Sequence, residues 1–320
     1  MTVLVVGQSR AARLSTQLFE GLGVQVIDAD AVRSSNIGDH FDVIVLFDAD
    51  CQGEGDDLAG ISIDGRTVKS DVRAVVDEGD VFFSTMADGR RERSADVLVA
   101  AASGALLGCS DPGRPRPVEL PLVDFATALT VVTGTLANLT GRAGMNATAE
   151  LRIDPRRASS LLTIDALIQS INAGEEMARN SRHPWAQVFI VECSCGSALT
   201  IHVSSSHQFW TRLADVLGRS DLVDLPQFAS YDDRVANYSE LANIVSTEVR
   251  KQSSDVWQIL LAAADVPFAP LFTPLEAVSQ PQAEWLGLAT PDCVPAGRTL
   301  LRPLRFDGDL PAMAGGKDAS

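Results

Sequence analysis

Within the stretch LVDFATALTVVTGTLANL, residues 122–139, a single carboxylate, Asp124, stands at the head of a run that carries no other charge. Aspartate is among the best residues at a helix N-cap, where its loss costs about 1 kcal/mol. The same position suits a reactive carboxylate. The helix dipole and the first-turn amides hold it ionised by roughly 0.3–1 kcal/mol, as a nucleophile at neutral pH requires. An uncharged helix behind it forms a dry wall that keeps water from an activated intermediate. Capping and catalysis are compatible, so both readings of Asp124 stand.

A second candidate is the turn GQSRAA, residues 7–12, which follows an apolar strand and opens a helix. Asp28 and Asp30 end the next strand, where a dinucleotide fold places its ribose-binding acid. Only the first glycine of G-x-G-x-x-G is present, because Ser9 and Ala12 stand at the other two positions. A side chain there obstructs the approach of backbone to pyrophosphate, so a nicotinamide or flavin cofactor is not expected. Cys193 and Cys195 form a C-x-C with no second pair at metal spacing, and are expected to be buried strand thiols; no metal site is expected. The four histidines, 40, 183, 202 and 207, are scattered and read as structural or surface residues.

These residues need elements to hold them. Residues 2–6 (TVLVV) read as a buried strand, and 10–22 as a helix with Leu14, Leu18, Phe19 and Leu22 on one face. VQVIDAD (24–30) and FDVIVLF (41–47) are further strands, and DVFFST (80–85) is a fourth. Continuous apolar strands alternating with helix argue for a parallel sheet covered on both faces. The acidic, glycine-rich stretch between 49 and 80, with a short ISI signal, reads as surface connection. A helix over 95–108 is followed by the proline-broken turn SDPGRPRP (110–117), the helix headed by Asp124, and another helix near 157–173. NSRHPW (180–185) punctuates. From 187 the character changes. QVFIVEC and ALTIHVS flank a CGS turn as a hairpin, and helices are expected at 207–217, 237–251 and 253–264. The Gly/Ala/Asp-rich tail, 308–320, is expected to be poorly ordered.

The expected fold class is therefore α/β: a Rossmann-like parallel-sheet large domain over 1–180 and a smaller α+β domain over 186–290. A chain of 320 residues is long enough for two such cores, and 46% hydrophobic with 21% charged residues is an ordinary globular composition. The net charge of −16 repels phosphate backbones and anionic lipid, which excludes nucleic-acid and membrane-surface roles. A phosphorylated small ligand is still allowed, since a local pocket can differ from the average. The N-terminus lacks a basic region ahead of its apolar run, and no uninterrupted apolar segment is long enough to span a bilayer. A cytoplasmic protein with free thiols is expected.

Several stretches resemble class III CoA-transferases of the formyl-CoA and carnitine type. VLVVGQSRAARLSTQLFEGLGVQVIDAD is similar to the family's opening strand, helix and strand ending in an acid. ADVLVAAASG is similar to its A-D-x-x-x-x-A-x-S-G. LVDFATALTVVTGTLANL resembles the helix that carries the family's nucleophilic aspartate. Gly134, Leu136, Ala137 and Leu139 agree with it, and Ala128 replaces its first glycine. The span from His207 to Val278 matches in spacing throughout, with Arg234, Trp257 and the V-P-x-x-P at 266–270 as landmarks.

The resemblance implies CoA transfer between an acyl-CoA and a small carboxylic acid, with CoA as substrate and no cofactor. Asp124 would attack the acyl-CoA to give a mixed anhydride, and the released thiolate would convert this to an aspartyl-CoA thioester. Gln8, Ser9 and Arg10 lie where the family places substrate- and CoA-binding groups. Arg10 either pairs with a substrate carboxylate or is a solvated charge. The resemblance further implies a homodimer, or pairing with a homologous subunit, and a segment over 291–320 that returns to the large domain. The racemases of the same fold need a histidine just before the aspartate of the A-D-x-x-x-x-A-x-S-G helix; Ala95 stands there, so racemisation lacks its base. Only AVRSSNIGDH (31–40) occupies the region that helps hold CoA, Ala12-Arg13 replaces a glycine-proline, and NSRHPW replaces a glycine-rich lid. These departures keep an alternative open: a degenerate, non-catalytic homologue acting as a subunit or binding protein.

Overall fold

The computed structural model describes residues 1–7, 9–28, 40–47, 61–63, 66–76, 96–108, 120–141, 148–174 and 182–281. It divides into two compact units, one built on Met1–Glu176 and one on Met177–Gln280. The strand expected over 80–85, the turn 110–117, the segment 291–320 with its tail, Asp30 and Ala95 all lie outside the described residues.

In the first unit, β1 (Thr2–Val6) leads through α1 (Arg10–Gly21) to β2 (Gln25–Asp28), and β3 (His40–Leu46) lies on the other side of β1. All three run parallel, pairing Leu4 with Ile27 and with Ile44. Burial on both faces accounts for the unbroken apolar sequence of β1 and β3.

Contrary to the sequence expectation, the stretch between 49 and 80 supplies interior sheet. β4 (Ile61–Ile63) pairs antiparallel with the start of β5 (Arg66–Val76), which then lies between β3 and β6 (Ala149–Ile153), parallel to both. The order of the five parallel strands is β2-β1-β3-β5-β6. Two of these strands were hidden by charge. In β5, Val68, Val72, Ala74 and Val76 are buried while Lys69 and Asp71 are exposed between them. Arg73 meets Glu150 of β6 across the sheet at 4.0 Å, and Arg152 meets the same carboxylate from within β6 at 2.7 Å.

The crossover from β5 to β6 carries α2 (Asp96–Ala102), α3 (Ala105–Gly108) and α4 (Leu122–Gly141). The single helix expected over 95–108 is broken at Ser103–Gly104, where Gly104 has φ +81°. After β6, α5 (Pro155–Ser160) starts with Asp154 as its cap. A 3-10 turn (Leu161–Thr163) and α6 (Ile164–Ala173) then occupy the rest of the expected 157–173 helix. By length and composition α4 is long and apolar enough to cross a membrane, although Asp124, Asn138 and its threonines interrupt the apolar run. Its surroundings are those of a core helix: Val131 and Val132 pack with Ala11, Ala12 and Phe19 of α1 and with the valines of β1, β3 and β5. Four threonines in α4 return their hydroxyl hydrogens to the helix's own carbonyls, Thr130 to Ala126 and Thr135 to Val131 at 2.8 Å, Thr133 to Leu129 at 2.7 Å and Thr140 to Leu136 at 3.1 Å.

The second unit opens with α7 (Arg182–Ala186), a short helix where the sequence suggested only punctuation. β7 (Val188–Glu192) and β8 (Ala198–His202) form the expected antiparallel hairpin, and β9 (Phe268–Pro270), which the sequence reading missed, extends the sheet beside β8. Alternation turns Phe189, Val191, Leu199 and Ile201 inward and Ile190, Glu192 and His202 outward. Onto the inner face pack α8 (His207–Val216), α10 (Tyr238–Val249) and α11 (Ser254–Ala263), through Trp210, Leu213, Leu241, Val245, Trp257 and Leu261. Capping is orderly. Ser206 accepts from the Phe209 amide, and Ser230 with Asp233 closes a capping box on α9 (Tyr231–Ala236). Thr273 with Glu276 does the same on α12 (Pro274–Val278). The cysteines depart from expectation: neither is in a strand, and Cys193 is buried beside the turn while Cys195 is exposed within it.

Candidate functional site

In an open parallel sheet the connections leave in opposite directions where the strand order reverses, and a crevice forms outside the carboxyl ends of those strands. Here the reversal falls between β1 and β3. At that place the chain turns sharply. Gly7 has φ +135°, and a Cβ on it would lie 2.6 Å from Cβ of Phe47, just past the end of β3. The Phe47 amide also donates to the Val6 carbonyl at 2.8 Å. The glycine of the first turn is thus required by its own conformation and by the closeness of the neighbouring strand. Phe47 is the partner that the sequence reading gave no role; its place just past β3 is the signal that marks it.

Ser9 is the N-cap of α1, its hydroxyl accepting from the Ala12 amide at 3.1 Å. Gln8 lies outside the described residues. Arg10 begins α1, and its Nε lies 3.9 Å from Oδ2 of Asp124. The structure thereby brings together two of the residues singled out from sequence, Arg10 and Asp124, with Ser9 one residue from the first. The Asp124 side chain is 22% exposed and that of Arg10 56%. A carboxylate so placed is neither sealed in the interior nor fully solvated.

The position of Asp124 in its helix differs from expectation. α4 begins at Leu122, and the Pro121 carbonyl accepts the first helical hydrogen bond, from Phe125 at 3.0 Å. Asp124 is therefore the third residue of the first turn and not the N-cap. Proline at the boundary accounts for the shift, since its fixed φ suits a helix start. The dipole argument survives, because the effect extends through the first turn. Val123, packed with Val99, Ala100 and Ala105 of α2 and α3, anchors this turn from behind.

α1 runs along α4, and the side chains buried near the beginnings of both are mostly small. Ala11, Ala12 and Ser15 are buried on α1, and Ala126, Thr127 and Ala128 on α4. The Arg10–Asp124 pair joins the beginnings of the two helices, so two positive helix ends are set close together just past the carboxyl end of β1. Farther along, Gly134 lets α4 approach β6, since a Cβ there would meet Cδ2 of Leu151 at 2.7 Å.

The family model for CoA-transferase family III matches residues 82–298, more than half of the chain and a span that includes Asp124. The chain belongs to CoA-transferase family III. It is 27% identical over 190 residues to the acetyl-CoA:oxalate CoA-transferase of Acetobacter aceti, an alignment covering 58% of this chain and 49% of that protein. The chain thus spans about half the length of this curated relative. Among solved structures it is similar to a CaiB/BaiF family protein from Brucella suis, with a TM-score of 0.68, 17% identity, and 96% of this chain and 92% of that one covered. It is also similar to Rv3272 of Mycobacterium tuberculosis, with a TM-score of 0.67, 20% identity, and coverage of 90% and 87%. At these identities the likeness to solved structures carries the fold. The α/β architecture expected from the sequence, a parallel sheet with helices plus a smaller antiparallel sheet, is the fold observed.

Proposed function

We propose that this protein moves CoA between an acyl-CoA and a small carboxylic acid, with Asp124 as the covalent nucleophile. One observation carries the reading: a partly shielded carboxylate in the first turn of α4, 3.9 Å from Arg10 and beside the start of α1. An Asp124 oxygen attacks the acyl carbon, the C–S bond breaks, and CoA leaves as thiolate, giving a mixed anhydride. The thiolate then attacks the Asp124 carbonyl carbon and expels the donor carboxylate, leaving an aspartyl-CoA thioester. The acceptor carboxylate displaces CoA in the same two steps in reverse, which restores Asp124 and consumes no proton overall. Two helix ends favour the anions that enter and leave at each stage. The reaction takes CoA as substrate and needs no further cofactor. Ser9 and Arg10, with Gln8, bind substrate in this reading, and Arg10 offers its guanidinium to the incoming carboxylate.

The partner is a second copy or a homologous subunit. Support comes from Leu161, Leu162, Ile164, Leu167, Ile168 and Ile171, all exposed on one continuous stretch of the first unit. Such an apolar surface is what an association interface covers.

The test uses acetyl-CoA with labelled oxalate, the substrates named for the Acetobacter aceti relative. The protein is expected to form oxalyl-CoA, and Asp124→Asn to lower the rate by at least about a thousandfold. The substitution should cost under about 1 kcal/mol in stability, since it removes a first-turn charge and a half-exposed ion pair. Transfer that survives in Asp124→Asn overturns the nucleophile. Absence of transfer and of any trapped aspartyl adduct across a panel of acyl-CoAs and acids, with CoA still bound, supports the non-catalytic alternative.

A further inference from the structure

The core of the second unit contains a positive charge whose hydrogen-bonding needs its neighbours do not meet. Arg234, in α9, is fully buried. Its Nε donates to Oε1 of Gln187 at 3.0 Å, and its Nη1 to the carbonyls of Phe228 at 3.2 Å and Ala229 at 3.4 Å. The guanidinium lies over the Trp210 ring, 5.4 Å from its centroid. All of these partners are neutral. The Asp233 carboxylate acts on Arg234 from nearby, and it is engaged with Ser230 in the capping box.

Three donor nitrogens of these touching side chains have no acceptor among the described residues: Nη2 of Arg234, Nε2 of Gln187 and Nε1 of Trp210. Gln187 and Trp210 are, like Arg234, fully buried. Turning over the Gln187 amide relieves nothing, because its oxygen is already committed to Arg234 Nε. The backbone at Gln187 has φ +46°, a conformation that L residues adopt at a cost and keep only where their surroundings fix them. Its carbonyl accepts from the Val203 amide at 3.1 Å, which ties the residue to the end of the hairpin. The indole face offers π density to the guanidinium but no lone pair.

A cluster of donors around a net positive charge requires an acceptor, and preferably a negative one. A water molecule has two hydrogens of its own to place, whereas a halide only accepts. We propose that Arg234, Gln187 and Trp210 form an enclosed site for one small monovalent anion of the chloride class. The anion neutralises the guanidinium and ties α8 and α9 to the start of the hairpin. The site stands on this cluster alone and is independent of the chemistry at Asp124.

Bromide and chloride are the probes, used on the full chain. Crystals soaked in bromide should show an anomalous peak within hydrogen-bonding distance of the three nitrogens. Raising chloride from about 1 to about 100 mM, with gluconate holding ionic strength constant, should raise Tm by about 2–4 °C. Trp210→Phe keeps the aromatic packing and removes one donor, so it should weaken the anion's apparent affinity by about tenfold. Arg234→Met should abolish both the anomalous peak and the chloride dependence; should it not fold, Trp210→Phe decides. A water without anomalous signal at this place, a Tm indifferent to chloride, or a chloride response unchanged in Trp210→Phe overturns the site.

Discussion

The helices of the second unit meet through large side chains, whereas α1 and α4 of the first unit bury mostly small ones near their beginnings and larger ones farther along. Trp210, Leu213, Leu241, Val245 and Trp257 fill the space above the β7–β8–β9 sheet, and the Trp257 indole donates to the Val249 carbonyl at 2.7 Å. Near the beginnings of α1 and α4 the buried side chains include Ala11, Ala12, Ser15, Ala126, Thr127 and Ala128, and farther along Phe19 of α1 packs with Val131 and Val132 of α4. Large side chains hold helices apart and gain stability from the area they bury. Small ones let backbones approach, and here they bring two helix starts within reach of one ion pair. The second unit keeps its packing energy to itself. The first uses close packing to build a site, and α6 contributes no buried side chain at all.

The comparison can be broken by volume changes of opposite sign. In the second unit the largest effect should come from removing bulk: Leu213→Ala, at a fully buried position, should cost about 2–5 kcal/mol in urea denaturation. In the first unit the damage should come from adding a single carbon. Gly7→Ala places a Cβ against Phe47 in a backbone conformation that disfavours it, and should cost about 2–3 kcal/mol while lowering transfer activity with it. If Leu213→Ala is tolerated within about 1 kcal/mol, the second core is looser than its contacts indicate. A Gly7→Ala protein of unchanged stability means that the turn can relax.

A smaller effect sharpens the contrast inside the second unit, between its sealed core and its open turn. Cys195 accepts from the Ser254 amide at 3.4 Å, and this bond, then Ser197, pulls its thiol below the usual range. Burial pushes the Cys193 thiol up, with Cys195 and Glu192 adding to the effect. The thiolate is the reactive form, so iodoacetamide should label Cys195 at a lower pH than an unstructured cysteine peptide, and Cys193 at a higher one. Equal rates at both positions, measured by peptide mass, contradict the assignment.

How far the sequence discloses this molecule depends on whether a signal is local. β1, β3 and the β7–β8 hairpin are legible because apolar runs and alternation stand in the strands themselves, and α8, α10 and α11 because their faces repeat. β5 and β6 are not, because charged residues interrupt both: Arg73 meets Glu150 across the sheet from far away in sequence, while Glu150 and Arg152 pair within β6 itself. Alternation of Val68, Ser70, Val72, Ala74 and Val76 was the available signal, with charges and hydroxyls set between and among them. At the site, the sequence pointed to Asp124 and Arg10 but not to their contact, and it placed Asp124 at the cap, since aspartate favours that position more than proline does. That the Arg234 cluster lacks an acceptor could not be read at all, since it depends on three side chains drawn from α7's end, α8 and α9.

The self-satisfied threonines of α4 bear on how the chain is made. As synthesis proceeds, residues 122–141 leave the ribosome as a stretch that passes for a membrane anchor by length and apolarity. Most of the strand side chains against which the helix packs, from β1, β3 and β5, precede it in sequence, and only Ile153 and its neighbours come later. A docking surface can therefore be ready before the helix is complete, and the order of the chain guards this segment from capture by other apolar surfaces.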